Sequence, residues 1–422
     1  MLLAGRTIQG LGGGGIIALT DVLITDLVPL RERGKWLGVL SMTWAVGTVT
    51  GPVIGGALAE KIGWRWLFWL LLPLCAVGFV TLPVFLRLEK RLSGLWEEAR
   101  KMDWLGAGLL IVSVTTFLLP VSWGNVMFAW SAWQTLVPLI LGFGGMLGFV
   151  LYEIYLPAQP LIPLDIFRQR TAIVTYLGIF LHGIVLWCIL YYLPLYYEAV
   201  KGYSPAIAGV AALPETFTVA PTSVVAGIAI SITGRFRWAV WSGWVLTVLG
   251  MGLLCDLSVD TSIPAWVFLN LVPGIGMGML FPSFQYAVQA ACDQRDVAFA
   301  AAMLNFVRSF GQSIGVAAGG AIFQNQFFVK LTAEPLVAHK AEQLAQDATS
   351  TVQIIKALAE DDPERIAIVK AYADSLRIVW AVMTGLAFVA FVLSLWTEPV
   401  DLNKDLVTEQ GFRHDRVDSR SE

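Results

Sequence analysis

The chain has 422 residues, 57% of them hydrophobic and 14% charged, with a mean hydropathy of +0.70. Soluble domains carry about 25% charged residues, so a soluble enzyme and a disordered scaffold are excluded. The net charge of −3 leaves no basic footprint for nucleic acid.

A helix crossing the hydrocarbon needs about 20 mostly apolar residues. Windows of that kind occur at 2–27, 36–59, 64–86, 104–122, 133–155, 172–197, 206–231, 238–256, 264–290, 297–323 and 377–397. These runs are long and continuous, unlike the short alternating strands of a membrane barrel. The expected fold is therefore all-α, a polytopic membrane protein of about eleven spans. Links after the odd-numbered spans hold Arg31, Arg33, Lys35, Arg87, Lys90, Arg91, Arg100, Lys101, Arg168, Arg170, Arg235, Arg237 and Arg295, whereas the alternate short links hold only Lys61, Arg65 and Lys201. The positive-inside rule then starts the chain outside and ends it in the cytoplasm. The long link 324–376 falls outside and carries helical periodicity at Leu344, Val352, Ile355 and Leu358, which predicts a surface helical hairpin.

In chain order, the first span holds Arg6, Gln9, Gly12–Gly15, Asp21 and Asp26. Its glycine run has no preceding strand, so a phosphate loop is disfavoured and close helix packing is favoured. The second span places Gly47, Gly51 and Gly55 at i, i+4 and i+8, followed by Gly56, with Pro52 between them. That spacing makes a groove on one helix face with a hinge in it, suited either to sliding helices or to static packing. Trp64, Trp66 and Trp69, and then Trp123, Trp130 and Trp133, form interfacial belts. The cysteines Cys75, Cys188, Cys255 and Cys292 are too far apart for a metal site and read as apolar packing residues. Ionisable groups at membrane depth are functional candidates. Glu215 and Arg308 lie deep in their spans, either pairing or contacting substrate. His182 is a packed imidazole or a cavity contact. Tyr191, Tyr192 and Tyr196 beside Pro194 line a cavity or anchor the belt, while Gln285, Gln289, Asn305 and Gln312 offer neutral polar contacts.

Several of these segments resemble one family. Arg6-Thr-Ile-Gln9-Gly10-Leu-Gly12 is similar to the fourth-span motif of the major facilitator superfamily, in its fourteen-span drug:proton antiporter branch. Gly47 to Gly56 resembles that family's fifth-span antiporter motif, and Gly63-Trp64-Arg65-Trp66 the opening of its sixth span. Tyr191 to Gly209 is similar to its ninth span and outer turn. The closest flavour is that of fungal toxin and multidrug efflux pumps. The resemblance implies a proton-coupling role for Arg6. It also matches the eleven spans to spans 4–14 of fourteen, so a truncated N-terminal part lacking three spans is expected. The expected division is an incomplete bundle at 1–86, two additional spans at 87–156, a six-span bundle at 157–398 and a tail at 399–422.

The function so implied is secondary active export of small apolar or amphipathic compounds by proton antiport and alternating access. The proton-coupling candidates are Arg6, Asp21 and Glu215. The substrate-cavity candidates are Gln9, His182, Tyr192, Tyr196, Gln285, Asn305 and Arg308, and the hinge motif is Gly47, Gly51, Pro52, Gly55 and Gly56. No cofactor or metal is expected. The partners are a small molecule, protons and the bilayer, with the chain acting as a monomer in the plasma membrane or the vacuolar membrane. A carrier for basic amino acids or iron chelates shares these glycine motifs, and a non-functional truncated relic is the further alternative. A membrane-embedded enzyme is disfavoured because the histidines at 182, 339 and 414 are scattered.

Overall fold

Long apolar runs become helices because a backbone in lipid must satisfy its own hydrogen bonds. The computed structural model describes residues 2–28, 33–85, 100, 102–124, 127–156, 161–293, 296–346 and 348–402. Its membrane helices are α1 (Leu2–Leu27), α2 (Arg33–Lys61), α3 (Trp66–Trp69), α4 (Leu71–Phe85), α5 (Trp104–Trp123) and α6 (Trp133–Tyr155), then α7 (Arg170–Ala199), α8 (Pro205–Ala211), α9 (Leu213–Thr233), α10 (Arg237–Leu254), α11 (Ile263–Ala291) and α12 (Val297–Ala333). Short α13 (Ala341–Gln346) and α14 (Ala348–Ala357) precede the last long helix, α15 (Pro363–Ser394).

Each of the eleven expected spans falls on helix. Among the described residues, nine helical segments are long and apolar enough to cross a membrane. The other two, α2 and α12, are 29 and 37 residues long, and in α12 glycine, amide and charged side chains lower the hydropathy. The third span is broken at Leu70 into α3 and α4, and the seventh at Ala212 into α8 and α9, just before Pro214. Ser204 accepts from the Ile207 amide and Gly234 closes α9 in the left-handed conformation (φ 65°). Arg31, Arg87, Lys90, Arg91, Lys101, Arg295 and the tail from 403 onward lie outside the described residues, as do the side chains of Asp26, Arg33, Lys35 and Pro52.

The core belongs to the C-terminal bundle, where buried hydrophobic side chains run from Ile166 to Leu402. No described residue between 2 and 85 is buried. Two glycine stripes hold the bundle together. A Cβ on Gly311 or Gly315 of α12 would stand 2.3 Å from the carbonyl oxygen of Phe180 or Ile184 on α7, and one on Gly319 would meet the Tyr192 ring at 2.6 Å. On α11, a Cβ at Gly276 would sit 2.5 Å from the Thr247 amide nitrogen, and one at Gly278 would sit 2.3 Å from the Val219 oxygen. Helix pairing in lipid depends on such backbone approach.

α5 and α6 form a hairpin of their own. Gly142 lets the Phe117 backbone in, and the Tyr152 hydroxyl donates to Asp103 at 3.0 Å. The hairpin docks on α12 through the Phe117 and Phe310 rings, 5.8 Å apart.

The outer link departs from the expected independent hairpin. α12 runs on to Ala333, and α15 starts at Pro363, where Asp362 caps it through the Glu364 amide. Only short helices fill the gap. Leu344, Val352 and Ile355 are buried as their periodicity requires. Lys356 reaches the Tyr203 carbonyl at 2.8 Å and Glu198 at 3.7 Å, and Lys340 pairs with Glu364. The physical reason is that the spans do not stop where hydrophobicity does: the helix is already nucleated, and adding residues costs little.

Candidate functional site

The two parts of the chain meet along α1/α12 and along α2 with α8 and α9. On the first contact, Asp21 of α1 accepts a 2.7 Å hydrogen bond from the Asn305 amide of α12. Gln285 of α11 and the charge of Arg308 on α12 also act on the Asp21 carboxylate. Asn305 and Arg308 stand three residues apart, on one face of α12, so both turn toward α1. Arg308 lies over the Phe281 ring with its guanidinium carbon 4.5 Å from the centroid. Phe281 and Gln285 are one helical turn apart on α11. His182 of α7 is fully buried behind them, edge-on to Phe281 at 5.0 Å and to Phe284 at 5.7 Å, with Nε2 3.4 Å from the Met277 oxygen.

Five of the expected residues, Asp21, His182, Gln285, Asn305 and Arg308, therefore come together from four helices into one polar seam. Asp21, Asn305, Arg308 and Phe281 are half-buried, whereas His182 and Gln285 are buried. Among the described residues, Nε and Nη2 of Arg308 and Nδ1 of His182 are buried without a hydrogen-bond partner. A buried polar atom left so costs about 1–3 kcal/mol, which marks the seam as built for something other than packing.

Glu215 is placed elsewhere. It occupies the first turn of α9 and is fully buried, with both carboxyl oxygens lacking a hydrogen-bond partner among the described residues. Its surroundings include Tyr197, whose hydroxyl accepts from Asn270, and the backbone at Gly274 approaches the Glu215 carbonyl closely.

Arg6 and Gln9 form a third place. The Arg6 guanidinium donates to Gln9 at 2.9 Å and lies 5.7 Å from the Phe68 centroid. With Trp64, Leu67, Phe68 and Leu71 they line a cavity of about 490 Å³. Tyr192 and Tyr196 join none of these. Their hydroxyls donate to the Val316 and Ser258 carbonyls at 3.1 and 2.7 Å, and their rings are buried in the bundle.

The α2 glycines divide by depth. Among the described residues, a Cβ on Gly47 or Gly51 would meet nothing within 4 Å, whereas one on Gly56 would stand 3.1 Å from the Ala206 backbone of α8. Gly55 sees only a Leu67 methyl at 3.7 Å. The C-terminal end of the motif, at Gly56, is thus seated on the C-terminal bundle. Phe281 carried no signal in the sequence, being one aromatic in an apolar run. The Gly311, Gly315 and Gly319 stripe was readable, because it repeats the i, i+4, i+8 spacing of Gly47, Gly51 and Gly55.

Comparison with known proteins places this geometry. The model of the Major Facilitator Superfamily matches residues 1–316. The chain is 48% identical over 416 residues to MFS transporter L2 of Phoma sp., covering 98% of this chain and 69% of that protein. It is 35% identical to efflux pump FUS6 of Gibberella moniliformis, over 100% of this chain and 76% of that one. It is also 35% identical to the acurin A biosynthesis cluster MFS-type transporter of Aspergillus aculeatus, over 98% and 75% of the two chains. In fold it is similar to an inward-facing, unoccupied bacterial homologue of the human lysosomal transporter Spinster, with a TM-score of 0.50, 16% identity and coverage of 90% and 73%.

Proposed function

The chain belongs to the major facilitator superfamily, a multi-pass membrane transporter rather than an enzyme, and from that premise we propose that it exports a small apolar or amphipathic metabolite in exchange for protons. One relative is named an efflux pump and another the MFS-type transporter of a biosynthesis cluster, which favours outward transport of a secondary metabolite. The observation that carries the reading is the Asp21–Asn305 bond beside Arg308, a polar seam between the two parts of the chain at membrane depth. Alternating access needs such a site, shared by elements that rock against each other. The substrate sits at the seam, against Arg308, Gln285, Asn305 and the Phe281 ring.

Glu215 is the favoured proton carrier. An ionised carboxyl without a partner costs several kcal/mol in such surroundings, so the arrangement around Glu215 suits the neutral acid. Its helix α9 packs along α2, the helix of the glycine motif, and this links a proton on Glu215 to the outer contact at Gly56. Arg6, in the cavity with Gln9, acts on the coupling through its fixed positive charge rather than by carrying a proton. Asp21 holds the seam in register. The protein works as a monomer in the plasma membrane.

The test uses the purified full chain in proteoliposomes with an acidic lumen. An apolar fluorescent substrate is expected to accumulate inside while protons leave, and Glu215→Gln is expected to lose at least tenfold of the gradient-driven rate. Flux that ignores the pH gradient, or an unchanged Glu215→Gln variant, overturns the coupling scheme.

A further inference from the structure

We infer that the seam recognises a neutral, oxygen-acceptor head group on a flat unsaturated body: a ketone, ester or lactone carbonyl rather than a carboxylate or an amine. This rests on the export reading for the site's purpose but on the donor inventory for its chemistry. The unspent hydrogen-bonding capacity at the seam is mostly of donor kind: Nε and Nη2 of Arg308 have no hydrogen-bond partner among the described residues, and the amide of Gln285, a side chain only 6% exposed, already turns toward the Asp21 carboxylate. The main acceptor there, the Asp21 carboxylate, accepts from Asn305 through Oδ2 and is shared with the Gln285 amide and the Arg308 charge. His182 adds no contrary demand. Its contact with the Met277 carbonyl, 3.4 Å away, requires the proton on Nε2, which leaves Nδ1 as a single weak acceptor.

Charge decides between acceptor classes. Asp21 and Arg308 together sum to zero, and they attract one another. A carboxylate would add an unbalanced negative charge beside Asp21, and an ammonium an unbalanced positive one beside Arg308. Both are expensive at membrane depth. A carbonyl oxygen accepts from the guanidinium fork and the Gln285 amide without changing the balance. The Phe281 ring, already beneath Arg308 and against His182, gives the unsaturated body a face to stack on.

The test measures binding, so it is independent of whether the chain transports. The purified full chain in lipid nanodiscs is titrated with three matched coumarins, an ethyl 3-carboxylate ester, the free 3-carboxylic acid and an aminomethyl derivative, with tryptophan quenching as the readout. The ester is expected to bind at least tenfold more tightly than the acid or the amine. Arg308→Leu is expected to weaken the ester at least tenfold, Gln285→Leu about threefold, and Arg308→Lys to an intermediate extent because the fork is lost and the charge kept. Size-exclusion profiles and thermal midpoints identify any variant that fails to fold, and Gln285→Leu, a buried amide-to-alkyl exchange of similar volume, keeps the test decisive if Arg308→Leu does. An amine that binds best, or ester binding unchanged in Arg308→Leu and Gln285→Leu, overturns the inference. Ester binding that follows this pattern without transport in proteoliposomes upholds the recognition chemistry and refutes the export reading.

Discussion

Asp21 and Asn305, 284 residues apart in sequence, are joined by a 2.7 Å hydrogen bond that ties the first helix to the C-terminal bundle. A hydrogen bond to a charged group contributes about 1.5–3 kcal/mol, and this one lies where the two parts of the chain meet. Asn305→Leu leaves the half-buried carboxylate without its donor. It is expected to slow transport about tenfold, and the double variant with Asp21→Asn is expected to be no slower than either single one. Rates of the four proteins in a double-mutant cycle check this, because independent residues would give multiplied losses.

Gly315 and Gly51 carry opposite expectations. A Cβ at Gly315 would lie 2.3 Å from the Ile184 carbonyl, while one at Gly51 would meet nothing among the described residues within 4 Å. Gly315→Leu is expected to destabilise by more than the ~1–3 kcal/mol of ordinary overpacking, because it collides with backbone, and to be lost on purification. Gly51→Leu is expected to purify normally with an unchanged thermal midpoint yet to transport poorly, if the open α2 face closes during the cycle. Yield, thermal midpoint and flux of the two proteins separate these outcomes.

Much of this was legible in the sequence. Hydropathy placed every span on a helix, because a membrane helix must satisfy its own backbone and cannot hide as anything else. Polar residues at depth flagged Asp21, His182, Gln285, Asn305 and Arg308 one by one. Their convergence was not legible, since it depends on how α1, α7, α11 and α12 cross. Tyr192 and Tyr196 show the converse. An aromatic cluster near a proline has the same sequence signature whether its hydroxyls face a cavity or, as here, bond the Val316 and Ser258 carbonyls. The outer link was misread as a hairpin because charge along 324–376 hid the continuation of α12 and α15 beyond the hydrocarbon.

Lys201, outside the spans, ties the outer loop by donating to the Val259 and Thr261 carbonyls at 2.6 and 2.7 Å. Burial holds its ammonium below the usual lysine range, with nearby Asp260 opposing the shift. The unfolded chain then binds more protons than the folded one in the alkaline range, so stability rises with pH there. Between about pH 8 and about pH 10 the wild type is expected to gain thermal midpoint relative to Lys201→Met. Differential scanning fluorimetry at several pH values checks the sign, and a relative loss contradicts it.

The outer tether at Lys356 is a smaller matter energetically. Its pairing with Glu198 at 3.7 Å is partly exposed, and such pairs contribute about 0–1 kcal/mol. Its second bond, to the Tyr203 carbonyl, holds the turn that leads into α8, where Gly56 is seated. Lys356→Ala is expected to leave the thermal midpoint nearly unchanged while altering the rate of outer opening. Accessibility of a single cysteine placed at Ala206 to a membrane-impermeant maleimide reports that rate.

Proton-driven export is tested most directly by one flux experiment. The purified full chain is reconstituted in liposomes with an acidic lumen, and uptake of the neutral coumarin ester is followed against its own gradient. The expected result is accumulation well above that of protein-free liposomes, collapsed by a protonophore and lost in Glu215→Gln. Uptake equal to that of empty liposomes, or accumulation that survives the protonophore, contradicts it.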